Sequence, residues 1–334
     1  MIVKTYPADF GHTTVINNLC IELQKMGFEA GIGAFEFTSI PPNGIKQVKL
    51  NKFQLFFRGT KSLNYDVIFL HQSFPSYFLL SRKPNKPVIL YYHGASNRLQ
   101  RINFKFSMML YKKRFSQIMS VSQAGIQQMQ RMIGKISATV IYNGVNTDFY
   151  HPNLPHPYKK GSPQLLFVSA LRPYKNTSVL INEMSKLIKK YPQAHLQIVG
   201  TGEDAPSLKD LIQKMKLQNS VELTGRIDDD ELKLRYSSCD IYVSASTFEV
   251  CPVPTLEAMA CGKPLVLFDI EPHQEIIKIS KAGKIFSFEK NSDFVSVFES
   301  VYQNRENFKS SALEFVKTHN WKSITKQLLE NLNT

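Results

Sequence analysis

Apolar residues fall along this chain in two alternating kinds of run. Short runs such as VIFL (67–70) and PVILYY (87–92) are apolar at every position and rich in β-branched or aromatic side chains, as in strands buried on both faces of a parallel sheet. Longer stretches such as 13–26, 98–114 and 122–132 mix apolar and polar positions and read as amphipathic helices. In the first half these helices alternate with strands at 1–5, 66–70, 87–92, 117–121 and 139–142. Residues 143–163, NGVNTDFYHPNLPHPYKKGSP, gather proline, glycine and lysine and read as a linker. The alternation then restarts, with strands at 165–170, 195–200, 221–225, 240–245 and 264–269 and helices over 178–190, 206–215, from Asp229 and in the closing residues. Such alternation predicts an α/β doubly wound sheet, and its restart predicts a second one.

In open α/β sheets ligands sit beyond the carboxyl ends of strands, so the informative loops follow Tyr92, Ala170, Gly200, Gly225 and Ala245. After Ala245, STFEVCPVPTLEAMA holds Glu249 in a loop and Glu257 in the opening turns of a helix. Pro254 suits a first turn, where the missing N–H is not needed. A helix N-terminus presents unpaired amides to a phosphate. Pro252 and Pro254 cannot donate, which leaves Cys251, Val253 and Thr255. Such a site would hold a diphosphate, with Glu249 accepting from sugar hydroxyls and Glu257 from a ribose. The plainer account is a loop carboxylate and a first-turn acid stabilised by the helix dipole.

The loop after Ala170 carries Arg172 and Lys175, which would neutralise charge developing on a diphosphate leaving group, or simply form a solvated basic loop. His93 directly follows a buried strand and precedes Gly94, where backbone can approach a ligand closely. A lone histidine there is either catalytic or structural. Gly11 opens a helix that could aim its amides the same way. Gly200-Thr-Gly202 lacks the third glycine of a dinucleotide fingerprint. Asp228-Asp229-Asp230 before ELKLRY reads as a capped, acidic helix start rather than a metal ligand set.

A chain of 334 residues fits two domains, and 43% hydrophobic with 20% charged residues excludes a disordered or fibrous protein. Cys20, Cys239, Cys251 and Cys261 form no C-x-x-C pair, which suits reduced thiols in the cytoplasm. The start MIVKTYPADFGHT turns polar after three residues and reads as neither signal peptide nor anchor. No apolar run approaches the ~18 residues that span a bilayer, so membrane contact would be peripheral. With 41 Lys and Arg against 27 Asp and Glu, the net charge of +14 favours anionic partners: nucleic acid, anionic lipid or phosphorylated small molecules. The stretch 97–115 interleaves Arg98, Arg101, Lys105, Lys112, Lys113 and Arg114 with Phe104, Phe106, Met109, Leu110 and Phe115. It would lie on an anionic membrane surface, or pack its apolar face on a sheet. Cations occur in both halves with no recognised nucleic-acid module, which counts against a nucleic-acid partner.

Taken in order, these residues resemble glycosyltransferase family 4, the retaining, nucleotide-sugar-dependent enzymes with the GT-B fold. Glu249-x7-Glu257 continuing into AMACGKPLV looks like that family's E-x7-E signature. FGHTTVINNLCIELQKMGFEA looks like its opening glycine loop and helix, SQIMSVSQ like the strand before its linker, VIYNGVNTDFYHP like its N-G-V-D-x-x-x-F segment, and NWKSITKQLL like its closing helix. The resemblance implies that Glu249 contacts the donor sugar, Glu257 the ribose and Lys175 the diphosphate. It implies that His93 lies near the reacting carbon and that the backbone from Thr224 through Arg226 to Ile227 reads the base. Gly11 and Gly200 fall on the donor side with them. Three positions depart from the pattern: Ala170 replaces the usual arginine, with Arg172 two residues later; Gly11-His12 replaces Gly-Gly; Asn146 replaces Asp.

The expected fold is therefore GT-B: two Rossmann-like doubly wound domains facing a cleft, with an acceptor-side domain at 1–155, a donor domain at 156–310 and a C-terminal helix, 311–334, returning to the first domain. The expected activity is retaining, metal-independent transfer of a hexose from a UDP-sugar, with GDP-mannose the other candidate. A glycan or lipid-linked acceptor in cell-envelope glycan, glycolipid or glycoprotein synthesis is implied. The donor is a co-substrate and no cofactor is expected. The expected place is the cytoplasm, with peripheral contact on the inner face of the cell membrane and no nucleic-acid partner. The rival readings are a nucleic-acid-binding protein, an inactive nucleotide-sugar-binding relative suggested by Ala170, and a phosphorylase or epimerase of the same architecture.

Overall fold

The computed structural model describes residues 1–7, 11–42, 44–71, 74–289 and 292–332; positions 8–10 of the YPADFGHTT stretch lie outside them. The chain divides into two units, Met1–Gly144 with Trp321–Thr334, and Val145–Asn320.

The first unit runs β1 (Ile2–Tyr6), α1 (His12–Lys25), β2 (Gly31–Phe37), β3 (Lys46–Lys49), α2 (Lys52–Arg58), β4 (Ile68–His71), a 3-10 segment (Phe74–Leu80), β5 (Val88–Tyr92), α3 (Arg98–Tyr111), β6 (Gln117–Ser120), α4 (Gln123–Ile133) and β7 (Thr139–Val140). Its seven strands pair in parallel in the order β3-β2-β1-β4-β5-β6-β7. β4 and β5, the runs apolar at nearly every position, are buried throughout. Asn97 and Ser122 start α3 and α4 by accepting from the amides of Gln100 and Gly125 at 2.9 and 3.0 Å, which satisfies donors that a helix start leaves open.

β2, β3 and α2 lie between Met26 and Asp66, where the sequence pattern predicts no element. Two glycines interrupt the apolar run of β2, GIGAFEF. A Cβ at Gly31 would lie 2.1 Å from the Tyr65 hydroxyl oxygen, so a larger residue there would have to displace that ring. α2 turns Leu55 inward and its phenylalanines outward, so its apolar residues do not mark a buried face.

The second unit contains β8 (Gln164–Val168), α5 (Thr177–Lys190), β9 (His195–Val199), α6 (Ala205–Lys214), β10 (Val221–Gly225), α7 (Asp229–Ser238), β11 (Ile241–Ser244), α8 (Val253–Ala260), β12 (Leu265–Phe268), α9 (Glu271–Ser280), β13 (Gly283–Phe286), α10 (Phe294–Gln303) and α11 (Arg305–Thr318). Its sheet is again wholly parallel, in the order β10-β9-β8-β11-β12-β13. Asp228 caps α7 by accepting from the Glu231 amide at 2.8 Å, the capped acidic start that the three aspartates suggest. The last helix, α12 (Trp321–Glu330), belongs to the first unit and packs on α1.

The units change over at 144/145 and 320/321, not at 155/156 and 310/311. Val145 already pairs with Asn320 in the second unit, and its amide donates to the His319 carbonyl at 3.0 Å. The segment read as a linker is packed structure: Tyr150 is buried in the second unit's core, and Lys159 meets Asp240 at 2.6 Å. Residues 311–320 also stay with that unit because Ala312, Phe315 and Val316 of α11 pack in the same core. On the other side of the changeover, Gly144 lies so close to Trp321 that a Cβ would meet the indole at 2.8 Å.

Gly144→Val should therefore lift α12 from its seat and lower the denaturation midpoint. Trp321→Ala should cost about 3–5 kcal/mol by vacating a buried aromatic site. Unchanged midpoints in both variants would show that the seat contributes nothing to stability.

Candidate functional site

Both sheets reverse their strand order at one place, between β1 and β4 in the first and between β8 and β11 in the second. Loops leaving the carboxyl ends of such a strand pair diverge and open a crevice. In the second unit those two loops carry Lys175 and Glu249, 74 positions apart, and their side chains form an ion pair at 2.5 Å. Both side chains are mostly buried, at 15% and 13% exposure, so this pair is more than a solvated surface contact.

The backbone holds the two loops together. Thr247 donates to the Tyr174 carbonyl through its amide at 2.8 Å and its hydroxyl at 3.1 Å. Tyr174 and Phe248 stack edge to face at 6.0 Å. Arg172 hydrogen-bonds the Tyr174 hydroxyl; burial nevertheless dominates and raises that phenol's pKa. Ala170, at the position where an arginine was expected, is exposed.

Gly200 is required where it stands. Its φ of 131° lies outside the range of ordinary residues, and a Cβ would collide with the Ser169 carbonyl at 1.9 Å. The loop after β9 thereby lies against the loop after β8, and the Gly200 amide donates to the Gly225 carbonyl at 2.9 Å. Beyond Gly225, Arg226 is exposed while Ile227 packs against the core. At the start of α8, Val253 is half-buried at the first helical position. Thr255 is not an available donor: its amide bonds the Pro252 carbonyl at 3.2 Å and its side chain is buried. Cys251 is half-buried beside them.

Glu257 sits deeper than a surface helix acid. It is buried on α8 and accepts from the Tyr236 hydroxyl at 2.8 Å, with Tyr150 as a second phenol partner. Burial pushes its carboxyl up to about 7; the two phenols pull the other way, and Asp229 adds to the rise. Sequence patterning gave no sign of this cluster, because Tyr236 and Tyr150 are distant along the chain.

His273 was also missed. It is fully buried in the first turn of α9, the helix that follows β12, the strand that pairs with β11. Its Nδ1 donates to the Phe268 carbonyl at 2.8 Å, so Nε2 is the unprotonated nitrogen; among the described residues nothing bonds to it. Burial lowers its pKa, while the charges of Glu249 and Lys175 act on it in opposite senses.

In the first unit the start of α1, the end of β4 and the loop after β5 bring His12, His71 and His93 together. His71 Nδ1 lies 2.8 Å from His93 Nε2, the two rings stack at 5.0 Å, and His12 lies 4.5 Å from His93 between ring centroids. Burial first, then neighbouring charge, holds His71 and His93 well below the usual histidine value, so both are neutral at pH 7. Only His93 stood out in the sequence. His71 closes an apolar strand, IFLH, and gives no local signal. Gly11, at φ 75°, starts α1 in a left-handed conformation that suits glycine. Among the described residues, no group of three or more His, Cys, Asp or Glu is arranged to hold a metal ion.

On α3 and the 3-10 turn Lys112–Arg114 that follows it, the basic residues divide. Lys112 donates to the Lys135 carbonyl at 2.9 Å, Arg101 to Ala95 at 3.2 Å, and Arg114 to Leu80. Arg98, Lys105 and Lys113 are exposed. Phe104 and Met108 face inward, whereas Phe106, Met109 and Leu110 are exposed. No helix of the described residues is long and apolar enough to cross a membrane.

Comparison with known proteins covers both halves. Residues 11–149 match the model for Glycosyltransferase Family 4, and residues 154–315 match that for Glycosyl transferases group 1. An uncharacterized glycosyltransferase of Methanocaldococcus jannaschii is 32% identical over 167 residues, covering 47% of this chain and 42% of that one, so the match spans under half of that relative. A phosphatidyl-myo-inositol mannosyltransferase of Mycobacterium leprae is 22% identical over 81% of this chain and 74% of its own. The crystal structure of Anabaena HepE in complex with UDP-glucose superposes with a TM-score of 0.79 at 19% identity, covering 99% of both chains.

The raised Glu257 carboxyl makes the free protein's stability depend on pH. Below the ordinary value of 4.5 folded and unfolded chains are both protonated, and burial of the neutral acid is unopposed. As pH rises to about 7 the unfolded chain ionises first, and that stability is lost, up to about 3 kcal/mol. Denaturant midpoints from pH 5 to 8 should fall more steeply in the wild type than in Glu257→Gln. Parallel curves would show that Glu257 ionises freely in the fold.

Proposed function

The chain is a glycosyltransferase of family 4, group 1, with the GT-B fold, and from that premise we propose that it transfers a hexose from a nucleoside-diphosphate sugar with retention at the anomeric carbon. The observation that carries this reading is the Lys175–Glu249 pair at the strand-order reversal of the second sheet. A cation that can meet a diphosphate and a carboxylate that can accept sugar hydroxyls stand within one hydrogen bond of each other. In the proposed reaction the bond from the anomeric carbon to the diphosphate oxygen breaks, and a bond to the acceptor oxygen forms on the same face. The acceptor hydroxyl's proton passes to the departing diphosphate. Lys175, Arg172 and the N-terminus of α8 offset the charge that develops there, the part played elsewhere by a metal ion.

In this reading Glu257 takes the ribose hydroxyls, exchanging phenol partners for them, and Gly200, Arg226 and Ile227 border the nucleotide. In the first unit the His93–His71 pair presents a neutral imidazole. The similarity to a protein that binds UDP-glucose supports a uridine donor, and the similarity to a mannosyltransferase acting on phosphatidyl-myo-inositol keeps a GDP-mannose donor as the second reading. That relative's name also favours a lipid acceptor, and action at the inner face of an anionic membrane is part of the same proposal. The rival of an inactive relative rests on Ala170. Arg172, bonded to Tyr174 two residues on, is the cation nearest in sequence to compensate.

UDP at a hundred times its Kd should stabilise the protein by about 2.7 kcal/mol in a thermal-shift assay, equally with and without chelator. Stabilisation by GDP alone would move the donor to GDP-mannose, and loss on chelation would overturn metal independence. Glu249→Ala should retain UDP binding and lower turnover by about 100-fold or more, whereas Lys175→Ala should weaken both. Wild-type turnover in either variant would remove that residue from the site.

A further inference from the structure

The chain's positive charge is concentrated rather than spread. Residues 51–115 contain twelve Lys and Arg against a single acid, Asp66, a net +11 out of +14 for the whole protein. The same segment holds most of the large apolar side chains exposed on the first unit. α2 hides Leu55 but leaves Phe53 76%, Phe56 44% and Phe57 61% exposed. α3 hides Phe104 and Met108 but exposes Leu99, Ile102, Phe106, Met109 and Leu110. Singly exposed apolar residues are ordinary; eight on two helices are not.

The two helices flank one piece of backbone. Both pack on the 3-10 segment Phe74–Leu80. Phe56 meets Phe78 edge to face at 5.9 Å, and the Ser81 hydroxyl donates to the Phe56 carbonyl. From the other side, Arg114 donates to the Leu80 carbonyl. Both helices therefore abut the same short segment, and each carries exposed apolar side chains beside exposed cations. Those cations are Lys52, Arg58 and Lys61 at α2, and Arg98, Lys105 and Lys113 at α3; all six are exposed.

We propose that α2 and α3 together form a docking face for an anionic lipid bilayer, with the α2 phenylalanines entering the acyl boundary and the flanking cations meeting the headgroups. Apolar side chains ringed by exposed Lys and Arg match both layers of that partner: the rings gain by leaving water, and the cations gain by reaching lipid phosphates. A nucleic acid would be served by the charge but not by aliphatic Leu99, Ile102 and Leu110. A second copy of this chain would bring +11 against +11. The proposal rests on the preceding reading only for its purpose, delivery of the enzyme to a membrane-borne acceptor. Its test needs no substrate.

The full chain should float with phosphatidylglycerol-containing vesicles and stay behind with pure phosphatidylcholine, and added salt should weaken the binding. Phe53→Ser with Phe57→Ser should reduce vesicle affinity at least tenfold while leaving the UDP-induced thermal shift unchanged. Arg98→Glu with Lys105→Glu and Lys113→Glu should do the same. These replace the cations that hold no carbonyl, so the helix ends stay intact. Because the serine variant could fail to fold, Phe57→Trp gives an independent reading against the one native tryptophan: its emission should shift to the blue with anionic vesicles only. Equal binding to neutral vesicles, wild-type flotation of the serine variant, or an unshifted Phe57→Trp spectrum would each overturn the proposal. So would salt-sensitive oligonucleotide binding or dimerisation that is abolished by the same substitutions while no vesicle is bound. A protein that floats as expected but ignores every nucleotide would leave this surface standing and sink the transferase site.

Discussion

Parallel strand pairing governs where chemistry can sit in this protein. Every strand of both sheets runs with its neighbours, so all the loops that leave carboxyl ends emerge along one edge of each sheet. Residues scattered over a hundred positions, Arg172 and Lys175 after β8, Glu249 after β11 and His273 after β12, are gathered by that geometry alone. The strand order reverses between β8 and β11, and Thr247 and Tyr174 hold the two loops that leave them in register. The Lys175–Glu249 pair is the local product. With no ligand each charge satisfies the other, which matters because an unpaired charge in so enclosed a place would be costly. In the proposed reaction a diphosphate that draws Lys175 away would leave Glu249 in need of donors, which the sugar joined to that diphosphate would bring, so the proposal couples phosphate and sugar recognition through one ion pair.

Glu257 shows the same economy in a different form. A carboxyl enclosed with two phenols is more easily kept protonated than charged, and its pKa of about 7 reflects that. Tyr236 and Tyr150 rings meet edge to face at 5.6 Å, so the phenols are themselves held by packing. Ribose hydroxyls could replace their hydrogen bonds without adding charge to the pocket. Helix position alone would have assigned Glu257 to solvent; the core around it decides otherwise.

Much of the architecture was legible because buried parallel strands are apolar at nearly every position and leave little else for VIFL or PVILYY to be. The strand-end loops, and with them Lys175, Glu249 and His93, followed from that assignment. What escaped was of two kinds. β2 and α2 escaped because glycine and outward-facing phenylalanine break the usual link between apolar pattern and burial. His71, Tyr150, Tyr236 and His273 escaped because their importance lies in partners 20 or more positions away, such as His93 for His71 at a separation of 22. The changeover between units was misplaced for a related reason: prolines and lysines at 143–163 suggest a linker, but Val145 and Tyr150 are anchored in a core that local composition does not reveal.

The distribution of charge separates two tasks that a single net value conflates. A total of +14 suggests a general attraction to anions, yet outside residues 51–115 the chain is close to balanced, with the remaining +3 spread over the other residues. The donor site proposed in the second unit would therefore depend on a few placed groups, not on a broad positive field. The field belongs to the first unit, where it coincides with exposed phenylalanines that would otherwise be a liability in water. In the proposed docking the same cations that hydrate this face in water would become attachments on an anionic bilayer. What α2 and α3 share is the Phe74–Leu80 segment, which Phe56 meets through Phe78 and Arg114 meets through the Leu80 carbonyl.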